Sequence, residues 1–159
     1  QPVRIADMTV EQWRTVIDQD LDGFYNILQA TLNRMKGWGG GSCVHLGAVG
    51  QLLGPERDVL SVAPKAAIEA LITGIAREEG RFNIRANSVL VGVIEAGMFL
   101  ELSRQGAFDR QWIEDVRKTL ALKRWGAPEE VAHACVFLAS NRALYVTGQR
   151  IAVAGGYGV

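Results

Sequence analysis

Apolar positions along the chain follow two alternating rhythms. Trp13, Val16, Ile17, Leu21, Phe24, Leu28, Leu32 and Met35 recur three or four residues apart, the spacing of one buried helical face. Thr9 and Gln12 stand where a capping box would open that helix, each side chain satisfying an orphan N–H. The predicted helix covers 9–35, and Gly37, Gly39, Gly40 and Gly41 end it. Residues 42–47 are a short run, apolar enough for a strand covered on both faces. Pro64 lacks an N–H and disfavours helix at Ala63, so the second helix is predicted to start near Pro64. Ala67, Ile68, Leu71, Ile72 and Ile75 form its buried stripe, and Gly80 stops it. Residues 84–91 read as a second strand, and 92–107 as irregular or partly helical. Phe108, Trp112, Ile113, Val116 and Leu120 give an amphipathic helix over 108–120. Pro128 opens another helix, with Glu129 and Glu130 favourable to its dipole and Val131, Ala134, Cys135 and Leu138 facing inward. Residues 149–153 are the last strand. The order α-β-α-β-α-α-β predicts an α/β fold with a parallel sheet and right-handed crossovers.

Composition narrows the class. At 159 residues, with no internal repeat or low-complexity tract, the chain is one domain able to bury a sizeable core. Its 17 acidic and 17 basic residues cancel, which argues against nucleic acid or an anionic membrane as partner. No stretch is expected to approach a membrane span, and 1–7 has no signal-peptide architecture, so the expected location is cytoplasmic. Cys43 and Cys135 lie in apolar runs and read as buried, reduced thiols. With His45 and His133 they never fall at metal-ligand spacing.

Candidate chemistry concentrates between Cys43 and Ala70, a strand, a loop and a helix start. This stretch resembles the active-site segment of the short-chain dehydrogenase/reductase family. There a strand ends in a catalytic Ser, a Tyr follows thirteen residues later, and a Lys comes four after the Tyr. Lys65 occupies the Lys position, followed by Ala66 and Ala67; Ser61 stands at the Tyr position and Ala48 at the Ser position. Val16 to Gly23 resembles the helix carrying the family's structural-catalytic Asn, with Asp20 at that position. Ile84 to Val89 resembles the strand after the catalytic helix. Val91-Gly92 follows where the family has Pro-Gly, and Ala96 stands where a Thr binds the nicotinamide amide. Arg124 to Ala132 is similar to the family's G-x-P-E-E-V-A helix start. Phe137 to Ser140, Tyr145 to Gln149 and Val153 to Gly156 are similar to its closing segment, with Ala154 where an Asp is usual.

The resemblance implies a partial Rossmann-like, doubly wound sheet of about three strands, ordered 42–47, 84–91, 149–153. It covers the C-terminal two thirds of the family fold and omits the N-terminal cofactor-binding half. The glycines at 37–41 follow a helix and enter a strand, the reverse of a phosphate loop, and Gly47-x-x-Gly50 matches that fingerprint only weakly. No cofactor is therefore expected for this chain, and NAD or NADP only if an N-terminal half is supplied. Ser61 is no substitute for a tuned phenol, because an aliphatic hydroxyl does not titrate near neutral pH. Lys65, the one retained family position, reads most simply as a helix-start lysine reaching solvent. Gly92, Ile94, Ala96 and Met98 are the substrate-cleft candidates. Ser61, His45 and Asp58 could suggest a hydrolytic triad, but no G-x-S-x-G surrounds Ser61.

The leading expectation is a non-catalytic family member acting as a structural or regulatory subunit of an oxidoreductase assembly. The alternatives are the C-terminal part of an NAD(P)-dependent oxidoreductase, and a small-molecule binding module. A homo- or hetero-oligomer is expected through helices 9–35 and 64–80 and the strand edge 42–47. The second neighbour of that strand would come from residues outside 1–159.

Overall fold

The computed structural model describes residues 2–157. Its elements are α1 (Val10–Val16), a π-helical turn (Ile17–Asp22), α2 (Gly23–Gly37), β1 (Gly41–Ala48), α3 (Gly50–Leu53), α4 (Val59–Glu78), β2 (Ile84–Val91), α5 (Gly97–Arg104), α6 (Arg110–Thr119), α7 (Pro128–Ala139) and β3 (Arg150–Val153). The three strands form a parallel sheet in the order β1-β2-β3, as the resemblance implied. Leu28 of α2 and Ile68, Ile72 and Ile75 of α4 close over Ile84 and Ala86 on one face. On the other face α7 packs against the sheet, with the Ser42 hydroxyl donating to the Leu138 carbonyl at 3.1 Å.

Four expectations need correction. The predicted helix 9–35 is interrupted by the π-helical turn; the apolar period runs straight through it, so periodicity alone gave no warning. Its start is as read: Thr9 and Gln12 exchange capping bonds of 2.9 and 3.1 Å. The second helix begins at Val59, not near Pro64. The N–H groups of Ser61 and Val62 both donate to the Asp58 carbonyl, which holds the extra turn. Pro64 still withholds a donor from that helix, and its full burial offsets the loss. Finally, α4 is long and apolar enough to cross a membrane, with a mean hydropathy of 1.5 over an 18-residue window of its 20 residues. Its Ile68, Ile72 and Ile75 are spent on the sheet, the pattern of a core helix. The two cysteines are free and half-buried rather than fully buried.

β2 has a neighbour on each side and is buried from Ile84 to Leu90, although it carries Arg85, Asn87 and Ser88. Each is satisfied. Arg85, 8% exposed, donates to the carbonyls of Leu138 (2.7 Å), Ser140 (3.2 Å), Val146 (3.4 Å) and Ala139 (3.5 Å). Asn87 donates to the Val146 carbonyl and accepts from the Gln149 N–H.

The hydrogen-bond parity of β1 follows from its ends. Gly41 donates to the Asn83 carbonyl and Val49 to the Val91 carbonyl, so the odd-numbered residues face β2. Ser42, Val44 and Leu46 therefore turn their N–H and C=O groups away from β2. Among the described residues no strand lies on that side.

Arg85→Ala should destabilise the fold by about 3 kcal/mol or more, because several charge-assisted bonds are lost and buried carbonyls are left unpaired. Urea unfolding followed by circular dichroism reads this; a change under about 1 kcal/mol would contradict the role given to Arg85.

Candidate functional site

The residues singled out in sequence meet where β1 ends and α4 begins. Ser61 and Lys65 are one turn apart on α4. The Lys65 ammonium donates to the Ser61 carbonyl at 3.0 Å and lies 3.5 Å from the Ser61 hydroxyl. Ala48 is the last residue of β1, and its N–H donates to Gln51 Oε1 at 3.3 Å. Asp20 sits within the π-helical turn. His45, 7% exposed, stands edge-on to Phe24 and places Nδ1 3.4 Å from the Ser88 hydroxyl.

Lys65 is the electrostatic centre of this corner. Burial first, then the Lys65 charge, lowers the His45 pKa below its ordinary value. Burial raises the Asp58 carboxyl, and Lys65 partly offsets that rise. The hydrolytic triad is not assembled: His45 turns to Ser88, and the Ser61 hydroxyl has Lys65 as its partner. Ser61, not a phenol, stands one turn before Lys65, and Ala48 offers no hydroxyl.

Beneath Lys65 lies a polar group that sequence reading missed. Glu69, 4% exposed, takes Gln51 on one carboxylate oxygen and Arg150 on the other, joining α3, α4 and β3. Its one sequence signal was a carboxylate inside the apolar stripe, between Ile68 and Ile72.

The substrate-cleft candidates divide. Gly92 packs against Ala154; a Cβ there would come within 2.7 Å of the Ala154 Cα. Ile94 bridges to Gly126 and lines a cavity of about 400 Å³. Ala96 precedes α5 in extended conformation, and Met98 is 77% exposed. A dinucleotide's phosphates do not fit Gly39, Gly40 or Gly50. Gly39 and Gly40 lie at the amino end of β1, before the strand. Gly50 is packed on Pro55 and Val62, and the helix it opens has four residues. Among the described residues there is also no cluster of three or more His, Cys, Asp or Glu to hold a metal.

Comparison with known proteins agrees with this frame. The family profile described as enoyl-(acyl carrier protein) reductase matches residues 1–158. The chain belongs to the short-chain dehydrogenase/reductase family. It is 35% identical over 149 residues to the 3-oxoacyl-[acyl-carrier-protein] reductase FabG of Chlamydia muridarum, covering 94% of this chain and 58% of that protein. It is 34% identical to an uncharacterized oxidoreductase, YgfF, of Escherichia coli, covering 96% of this chain and 61% of that protein. Among solved structures, a gluconate 5-dehydrogenase from Burkholderia cenocepacia, in complex with NADP and tartrate, superposes with a TM-score of 0.90 at 27% identity. That superposition covers 99% of this chain and 60% of the other. The chain thus spans about three fifths of the length of these relatives.

His45 should titrate below about 6.5, and Lys65→Met should move it back upward by removing one of the two causes. Because the folded pKa is the lower one, the contribution of His45 to stability is complete above the unfolded value and is lost as pH falls through the folded value. NMR titration of the His45 ring protons, assigned with His45→Gln, checks both. An unchanged midpoint in Lys65→Met would refute the coupling.

Proposed function

We propose that this chain is a non-catalytic short-chain dehydrogenase/reductase-like protein, a cytoplasmic structural or regulatory subunit of an oxidoreductase assembly. One observation carries the reading: the Lys65 ammonium is held by the carbonyl of Ser61, the residue at the family's Tyr position. A family lysine assists a phenol and a cofactor ribose; here its reach is spent within its own helix. Ala48 and Asp20 depart from the pattern in the same direction. The second reading is the C-terminal part of an NAD(P)-dependent oxidoreductase whose N-terminal half lies elsewhere, and the 58% coverage of the FabG relative favours it. The partner surfaces are the same in both: the outward edge of β1 and the helices α1, α2 and α4.

Calorimetric titration of the chain with NAD⁺, NADH, NADP⁺ and NADPH should give no saturable heat. A sub-millimolar dissociation constant for any of them would overturn the non-catalytic reading. The double variant Ser61→Tyr, Ala48→Ser should remain inactive on a generic ketone, because restoring reacting groups without positioning forgoes roughly 7–11 kcal/mol of barrier reduction in favourable cases.

The partner reading has its own measurement. In a sample containing only this chain, light scattering should show an oligomer, and hydrogen exchange should be slow at the Val44 and Leu46 amides. A monomer with fast exchange at both would refute it.

A further inference from the structure

The cavity of about 400 Å³ lies at the carboxyl ends of β2 and β3, where α/β sheets place ligands. None of Asp20, Ala48, Ser61 or Lys65 lines it. Its wall is largely aliphatic, from Val93, Ile94, Leu120, Leu122, Ala152 and Val153. Two charged side chains reach it, and they satisfy each other. Arg124 forks onto both carboxylate oxygens of Glu130 at 2.7 and 2.8 Å, and Glu130 also accepts the Ala127 N–H. That pairing pulls the Glu130 pKa down to about 2, chiefly through the Arg124 hydrogen bonds, so the pair stays ionised at any physiological pH. Some backbone groups at the wall are occupied too: Leu122 N–H donates to the Gly155 carbonyl, and Gly126 donates to the Val93 carbonyl and accepts from Glu95.

A charged ligand would find Arg124 and Glu130 already paired with each other, and its desolvation would go largely uncompensated. A neutral, mostly apolar molecule loses nothing by entering. The volume falls within the range of small-molecule pockets and is too small for a helix. We propose that this cavity is a binding site for a neutral apolar small molecule, such as a compact ring system or short alkyl chain.

Its position gives the ligand a reporter. The cavity walls at Val93–Ile94 and at Leu120–Gly126 are the two stems of the α5–α6 segment. Trp125, within the second stem, meets Phe99 of α5 edge-on at 5.3 Å and lies under the Arg117 guanidinium of α6. A molecule in the cavity touches both neighbours of Trp125 in sequence, Arg124 and Gly126.

The test is titration with the neutral fluorophore N-phenyl-1-naphthylamine, read by its emission and by tryptophan quenching. Wild type should bind it saturably at one site. Ala152→Trp, which fills the cavity, should weaken binding at least tenfold, and Ala132→Trp on the exposed face of α7 should leave it unchanged. Circular dichroism establishes that each variant is folded; Leu122→Trp is the second cavity variant should Ala152→Trp fail to fold. Trp125→Phe should abolish most of the ligand-dependent quenching without altering probe emission. Non-saturable binding, or equal affinity in the filled and control variants, would overturn the proposal. The cavity shares no residue with the Lys65 corner, although Ile94, one of the substrate-cleft candidates, lines it.

Discussion

A guanidinium buried in the central strand ties the sheet to the end of α7 and to the segment entering β3. The last carbonyls of α7 have no intrahelical donor, and the helix dipole makes that end negative. Arg85 answers both needs, donating to Leu138, Ala139 and Ser140 from the middle of the sheet. Its fourth bond, to Val146, fixes the segment that leads into β3. Thr147 then accepts the Ala86 N–H and Asn87 binds Gln149, so the chain enters β3 in register with Ser88. Burying one charge would be costly alone; converged carbonyls offset the desolvation. Arg85 thus anchors α7 to the sheet, and with Thr147 and Asn87 it sets how the chain enters β3.

Much of this was legible in sequence, and the misses share a cause. The strands at 42–47, 84–91 and 149–153 were read to within about a residue or two, because short β-rich runs between glycines and helices leave little choice. The caps at Thr9 and Pro128 act locally and were legible for that reason. Pro64 was misread because its local cost is overridden by burial against the rest of the fold, which no local rule contains. Arg85 and Glu69 were passed over for the same reason. Each looks like a solvated charge until the elements that bury it are brought together from 53 and 81 residues away. The candidate site was legible in position through Lys65, Ser61 and Ala48. What Lys65 does there was not, since its hydrogen bond depends on the helix starting before Pro64.

The corner around Lys65 is more closed than a reacting site needs to be. Its ammonium is held within its own helix, His45 faces Ser88, and in a layer below Gln51 donates to Glu69, which also pairs with Arg150. Polar groups that are mutually satisfied in a low-dielectric interior stiffen a fold, whereas a catalytic group must keep a bond in reserve for the substrate. This closure supports the non-catalytic reading beyond the mere identity of Ser61 and Ala48.

The two edges of the sheet are treated differently, and the difference bears on partners. β3 has four residues and begins with a charged arginine, features that discourage another strand from adding. β1 has eight residues with no lysine, proline or bulge, and Ser42, Val44 and Leu46 turn their amides and carbonyls outward. Leu46, 53% exposed, projects on the α7 side of the sheet, since it shares a face with Ser42. A strand whose composition suits cover on both faces, with unprotected polar groups along its margin and an aliphatic side chain bare, is a poor terminal edge. Left open it invites uncontrolled pairing. Coverage by a further strand satisfies the backbone groups and buries Leu46 together. That requirement is the same whether the strand comes from another subunit or from a longer form of the chain, so the edge argues for a neighbour under either reading of function.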